Sequence, residues 1–190
     1  IIGILLYLYI KTNNMENSIK KNGFTLGIIM GVILVLITTT MYTVDLSLFT
    51  NWWVGIVNFV IIIGIAIYCS ITNKKALKGQ MSYKEAFLSF ILPIIVGIAI
   101  YVLYNIILFN VIDPEAKNVL TENVITMTKE MMGKFNVPAA EINKAIADIE
   151  SKDNFGPLSQ FQSYFFQIAF YAVLGLLVAL IFKTPTSAKE

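Results

Sequence analysis

The chain has 190 residues, 57% hydrophobic and 14% charged, with a mean hydropathy of +0.74, where soluble domains run at roughly 45–50% apolar and 25% charged. A chain this apolar, with long uninterrupted runs, belongs in a bilayer, and its length is that of one domain. All fourteen basic residues are lysines and the net charge is +2, so the usual phosphate clamp (Arg) and the usual acid/base and metal ligand (His) are both missing, and no basic stripe marks a nucleic-acid partner.

Residues 1–14, IIGILLYLYIKTNN, precede Met15. Their apolar part, Ile1 to Ile10, is too short to span a bilayer, which takes about 20 residues, and it lacks the cleavage site of a signal peptide. They read as an upstream extension or as the tail of a further membrane helix. After the polar run MENSIKKN, an apolar segment over about 23–42 forms the first crossing. Gly23, Gly27 and Gly31 recur every fourth residue and share one helix face, where a neighbouring backbone can approach closely.

The loop TVDLSLFTN contains no lysine. Trp52 and Trp53 then open a second crossing, over about 52–71, in the manner of an interfacial aromatic belt. Cys69 lies within it and reads as a small apolar side chain. The third crossing, 83–109, begins with Ser82-x-x-Glu85, the form of a capping box. From Ser82 to Phe109 is roughly 42 Å of helix, longer than the roughly 30 Å hydrocarbon core, so this helix must tilt, kink or protrude. Pro93 supplies the means of a kink.

Residues 110–156 are more polar. Asp113-Pro114-Glu115 reads as an N-cap, a proline at the first helical position and an acid in the first turn. Leu120, Val124, Met127, Met131 and Phe135 follow at helical spacing as one apolar stripe, which ends near Gly133 and Asn136. Pro138 begins a shorter helix whose stripe is Ile142, Ile146 and Ile149. The two helices are expected to pair, or to lie against the membrane surface. Pro157 opens the fourth crossing, 157–183, with Ala172, Gly175 and Ala179 on one face, and a polar tail of residues 184–190 follows.

The fold class is therefore an all-α integral membrane protein of four transmembrane helices, with an extracytoplasmic amphipathic helical hairpin between the third and fourth. Lys20, Lys21, Lys74, Lys75, Lys78, Lys84, Lys183 and Lys189 flank the crossings on one side. The first loop on the other side holds no lysine, and residues 110–163 carry five lysines against eight acids. By the positive-inside rule both termini are cytoplasmic.

The motif Gly79-x-x-Ser82-Tyr83-x-x-Ala86-Phe87 leading into the third crossing, with Ile112-Asp113-Pro114 at its far end, resembles a family of small bacterial inner-membrane proteins known as domain of unknown function 4199. The resemblance extends more loosely over nearly all of the chain from Met15. It implies the same four-helix layout and a bacterial inner-membrane location, and it carries over no activity and no catalytic residues.

The apolar runs contain no ionisable residue of the kind that marks a proton or ion path. Their polar residues are Asn58, Asn105 and Gln167, with Tyr68, Tyr101 and Tyr104, and interhelical hydrogen bonding is the expected role of the amides. Met127, Met131 and Met132 have no His or Cys beside them to complete a soft-metal site. The acids sit at helix starts or on polar faces, where capping and solubility account for them. No catalytic residue, cofactor or metal is expected. The leading reading is a non-enzymatic scaffold or accessory protein that meets lipid, and another envelope protein, through its outer hairpin; the alternative is a small transporter or flippase for lipid or an apolar solute. The small-residue ridges suit either a lone bundle or a homo-oligomer.

Overall fold

A computed structural model describes the backbone of residues 2–185 and the side chains of residues 17–185. Residue 1, the tail beyond Pro185, with Lys189, and the side chains of 2–16 lie outside the described residues. Among the described residues six α-helices follow one another: α1 (Ile2–Val44), α2 (Trp52–Ala76), α3 (Tyr83–Ile107), α4 (Ala116–Lys134), α5 (Ala139–Glu150) and α6 (Pro157–Phe182). A 3-10 helix, Leu46–Thr50, links α1 to α2, and a π-helix, Leu108–Ile112, continues α3. No strand occurs among the described residues.

Among the described residues four helical stretches are long and apolar enough to cross a membrane: Asn17–Val44, Trp52–Ala76, Tyr83–Ile112 and Pro157–Phe182. Their order and number fit a multi-pass membrane protein. α1 begins well before the expected Gly23, because the polar run ahead of it contains neither Pro nor Gly to break a helix. Its Ile19 is 1% exposed, packed among Leu77, Met81, Ala86 and Ala179. α2 likewise runs past the expected Ile71 to Ala76, and so draws Asn73 into the interior.

The centre of the bundle is α3. α1, α2 and α6 all pack on it, and Phe90, Ile94 and Ile98 are fully buried along it. The glycine ridge of α1 sets the closest of these contacts. A Cβ at Gly23, Gly27 or Gly31 would fall 2.8, 2.6 and 2.7 Å from the Cβ atoms of Leu92, Val96 and Ile100. The fit is reciprocal, since a Cβ at Gly97 of α3 would fall 2.6 Å from Sδ of Met30. On α6 the buried face is Tyr171, Gly175 and Ala179, and a Cβ at Gly175 would meet the rings of Phe90 and Phe87; Ala172 is half-buried beside them. α3 remains one helix through Pro93, and its excess length is taken up by the π-helix at its far end.

Local signals end and start these helices as their chemistry requires. Ser82 Oγ accepts from the Glu85 amide at 3.3 Å and the Ser82 amide donates to Glu85 Oε2 at 2.7 Å, a complete capping box. Lys78 and Gly79 turn the chain out of α2 with φ of 54° and 82°, a region glycine occupies without strain. Asp45 caps the 3-10 helix by accepting from the Ser47 amide, and that amide holds its carboxyl below the usual range. Asp113 Oδ1 accepts from the Ala116 amide at 3.1 Å, so the side chain caps as expected although regular α-helix begins two residues beyond Pro114.

The two ends of the bundle differ. At one, the part of α1 around Ile19, the α2–α3 loop and the end of α6 converge. Thr184 Oγ1 donates to the Gly79 carbonyl at 2.8 Å and accepts from the Met81 amide at 3.0 Å. At the other end Phe109, 1% exposed, is ringed edge-on by Tyr42, Phe49 and Phe155. A π-turn shifts side-chain directions relative to a continuous α-helix, and here Leu108 and Phe109 both face inward, against Ala116 and Leu120.

Candidate functional site

The three amides expected to bond between helices behave differently from one another. Asn105, 2% exposed, donates from Nδ2 to the Tyr101 carbonyl at 2.8 Å, within its own helix. It is thus not an interhelical tie: a buried amide four residues past a carbonyl finds that acceptor first. Asn58 and Gln167 instead line one cavity of about 260 Å³ between α2, α3 and α6, together with Tyr101, Tyr171, Phe59 and Ile98. The Asn58 Oδ1 atom is buried and has no hydrogen-bond partner among the described residues. α2 and α6 each pack on α3, and across the cavity the Phe59 and Tyr171 rings stack with centroids 6.2 Å apart. Asn58 and Gln167 thus share a cavity rather than a hydrogen bond seen among the described residues, and their meeting depends on helix rotation, which no single helix encodes.

The buried polar tie between helices lies elsewhere. Asn22 Nδ2 of α1 donates to Asn73 Oδ1 of α2 at 2.7 Å, and Asn73 Nδ2 donates to Ser89 Oγ of α3 at 3.0 Å. Asn73 and Ser89 are fully buried. Asn73 stands next to Lys74-Lys75 and reads as a helix exit; the signal that could have found it is its helical spacing of four from Cys69 and seven from Ala66, which continues the buried face of α2. Tyr104 and Thr39 add a second tie, α3 to α1, with oxygens 2.6 Å apart.

The stripe on α4 is divided along its length. Leu120 is fully buried in the cluster with Leu108, Phe109 and Ala116, Val124 and Met127 are half-buried, and Met131 and Phe135 are 49% and 75% exposed. α4 and α5 are in contact. Met127 and Met131 line a cleft with Asn51 and Trp52 at the start of α2, while the clefts toward α5 are lined from α4 by Thr121, Ile125 and Met132. The anchors of α4 explain its rotation: Asp113 Oδ2 accepts from the Tyr42 hydroxyl at 2.8 Å, and Lys117 Nζ donates to Asn110 Oδ1 at 3.1 Å and to Asp153 Oδ2 at 2.9 Å. On α5, Ile142, Ile146 and Ile149 are half-buried.

Among the described residues no group of three His, Cys, Asp or Glu could hold a metal ion. Cys69 is fully buried, with Asn73 Nδ2 at 3.6 Å from its sulfur. No curated protein and no solved structure matches the chain. The model of a family of proteins of unknown function matches residues 25–184, from within the first apolar helix through the last and across the three segments between them, and the chain belongs to that family, DUF4199.

Proposed function

We propose that the protein is a non-enzymatic scaffold or accessory protein of the bacterial inner membrane, with both termini cytoplasmic and residues 110–156 forming an extracytoplasmic helical hairpin that docks another envelope protein. One observation carries this reading: Met131 and Phe135 stand exposed on a helix that is fastened firmly to the bundle at its other end through Leu120 and Lys117. A rigidly held apolar tip beside Trp52 suits docking at the membrane surface. The orientation follows from the lysine-rich flanks, which gather at the opposite end of the bundle.

Thiol labelling in intact cells tests it, in a Cys69→Ser background with single cysteines at Lys75 or Asn118, followed by crosslinking from positions 131 and 135. We expect Asn118→Cys to label from outside and Lys75→Cys only after permeabilisation. One protein should be captured reproducibly, and lost when Phe135 is changed to Glu in a protein crosslinked from 131. Labelling of position 75 from outside overturns the orientation, and capture of lipid alone overturns the docking role. A second reading, a small transporter or flippase for lipid or an apolar solute, is favoured by the polar cavity between α2, α3 and α6.

A further inference from the structure

The cavity holds a buried acceptor, Asn58 Oδ1, that receives no hydrogen bond among the described residues, although Gln167, Tyr101 and Tyr171 share its lining. Asn58 lies about 9 Å of helix in from Trp52, inside the stretch that is apolar enough to cross a membrane. An unpartnered polar atom in hydrocarbon costs several kcal/mol, so a partner that donates a hydrogen bond is favoured there. None of the residues lining the space is charged. A phosphate or a carboxylate would enter without a counter-charge, and burying such an ion unpaired is far more costly than burying a hydroxyl.

Size and position narrow the occupant further. About 260 Å³ falls below the roughly 300–1,000 Å³ of pockets that enclose a drug-sized ligand. It suits a head and its first carbons, with the remainder of the molecule lying outside. Phe59 of α2, in the lining, is 40% exposed, and its neighbours Ile56 on α2 and Phe170 on α6 are 53% and 56% exposed on the outer surface of the bundle. Gly55, on the rim, has open space where a Cβ would stand. An occupant can therefore enter sideways from the bilayer between α2 and α6 and keep its chain in lipid.

We infer that this cavity is a binding site for an uncharged lipid alcohol, whose hydroxyl donates to Asn58 Oδ1 and whose chain lies along the outer groove between α2 and α6. The site is independent of the docking reading, since it lies in the bundle and not on the tip of α4, and lipid binding and surface labelling test the two separately.

The test uses the full chain in nanodiscs of phosphatidylcholine with a diazirine-bearing hexadecanol as probe and the matching diazirine palmitate as comparison. The alcohol should label residues of α2 or α6 that border the cavity, be competed by dioctanoylglycerol, and exceed the acid in labelling there. Asn58→Leu should weaken apparent affinity about tenfold, the effect of losing one hydrogen bond to a buried group. Gly55→Leu, which fills the rim without disturbing a packed contact, should abolish labelling while the unfolding temperature is retained. Equal labelling by acid and alcohol overturns the inference, as does labelling that neither variant changes, or labelling spread evenly over the lipid-facing surface as for solvent lipid.

Discussion

Asn73 shows what one residue does in this molecule. It accepts from Asn22 and donates to Ser89, so three helices meet at a side chain that water does not reach. Hydrogen bonds between membrane helices are worth roughly 0.6–2 kcal/mol each, and removing the shared partner leaves Asn22 and Ser89 without it. Asn73→Ala should therefore lower stability by about 1–3 kcal/mol, read as an earlier midpoint in unfolding of the purified protein by increasing SDS; an unchanged midpoint would mean that the network contributes nothing. Asn58 is the opposite case, a polar residue of the same type with an orphaned oxygen. Both are amides of α2, Asn58 within its apolar run and Asn73 at its lysine-rich end, and their neighbours in space separate a structural tie from a candidate ligand contact.

At the scale of elements, the pairing of α1 with α3 is governed by absence of side chains. Gly23, Gly27 and Gly31 receive the Cβ atoms of Leu92, Val96 and Ile100 at distances no added methyl group could share. Small residues allow such backbone approach, and membrane helices depend on packing because lipid supplies no hydrophobic drive between them. Gly27→Ala should destabilise by about 1–3 kcal/mol through overpacking, whereas Gly64→Ala, where a Cβ meets nothing within 4 Å, should leave stability equal or slightly raised. Comparing the two variants in the same SDS titration isolates close packing from helix propensity. This ridge was legible in the chain because its four-residue period is a property of one helix. The capping box at Ser82 and the cap at Asp113 were legible for the same reason, each being complete within a few residues. The rotation of α4 was not legible: it is set by Tyr42 and Asp153, 71 and 36 residues from their partners.

For the whole molecule, charge and contact agree on two unlike ends. Lys74, Lys75 and Lys183 lie where the α2–α3 loop meets Thr184, and α4 and α5 lie at the end closed by Phe109. If lysine asymmetry orients the chain, replacing Lys20, Lys21, Lys74, Lys75 and Lys78 with Gln should produce a mixed population, in which Asn118→Cys labels from outside in only part of the protein. Full labelling of the quintuple variant would show that another signal sets the orientation.

The number and order of the long apolar helices, the caps at Ser82 and Asp113, the glycine ridge of α1 and the gathering of lysines were determined by the sequence alone, because hydropathy, capping and helical period are read within one segment. Tertiary structure decided which polar residues meet. It joined Asn22 to Asn73, turned Asn105 back on its own helix, brought Asn58 and Gln167 to one cavity and divided the α4 stripe between core and surface. Those outcomes depend on how each helix is rotated about its axis, and that angle is fixed by packing against the other helices.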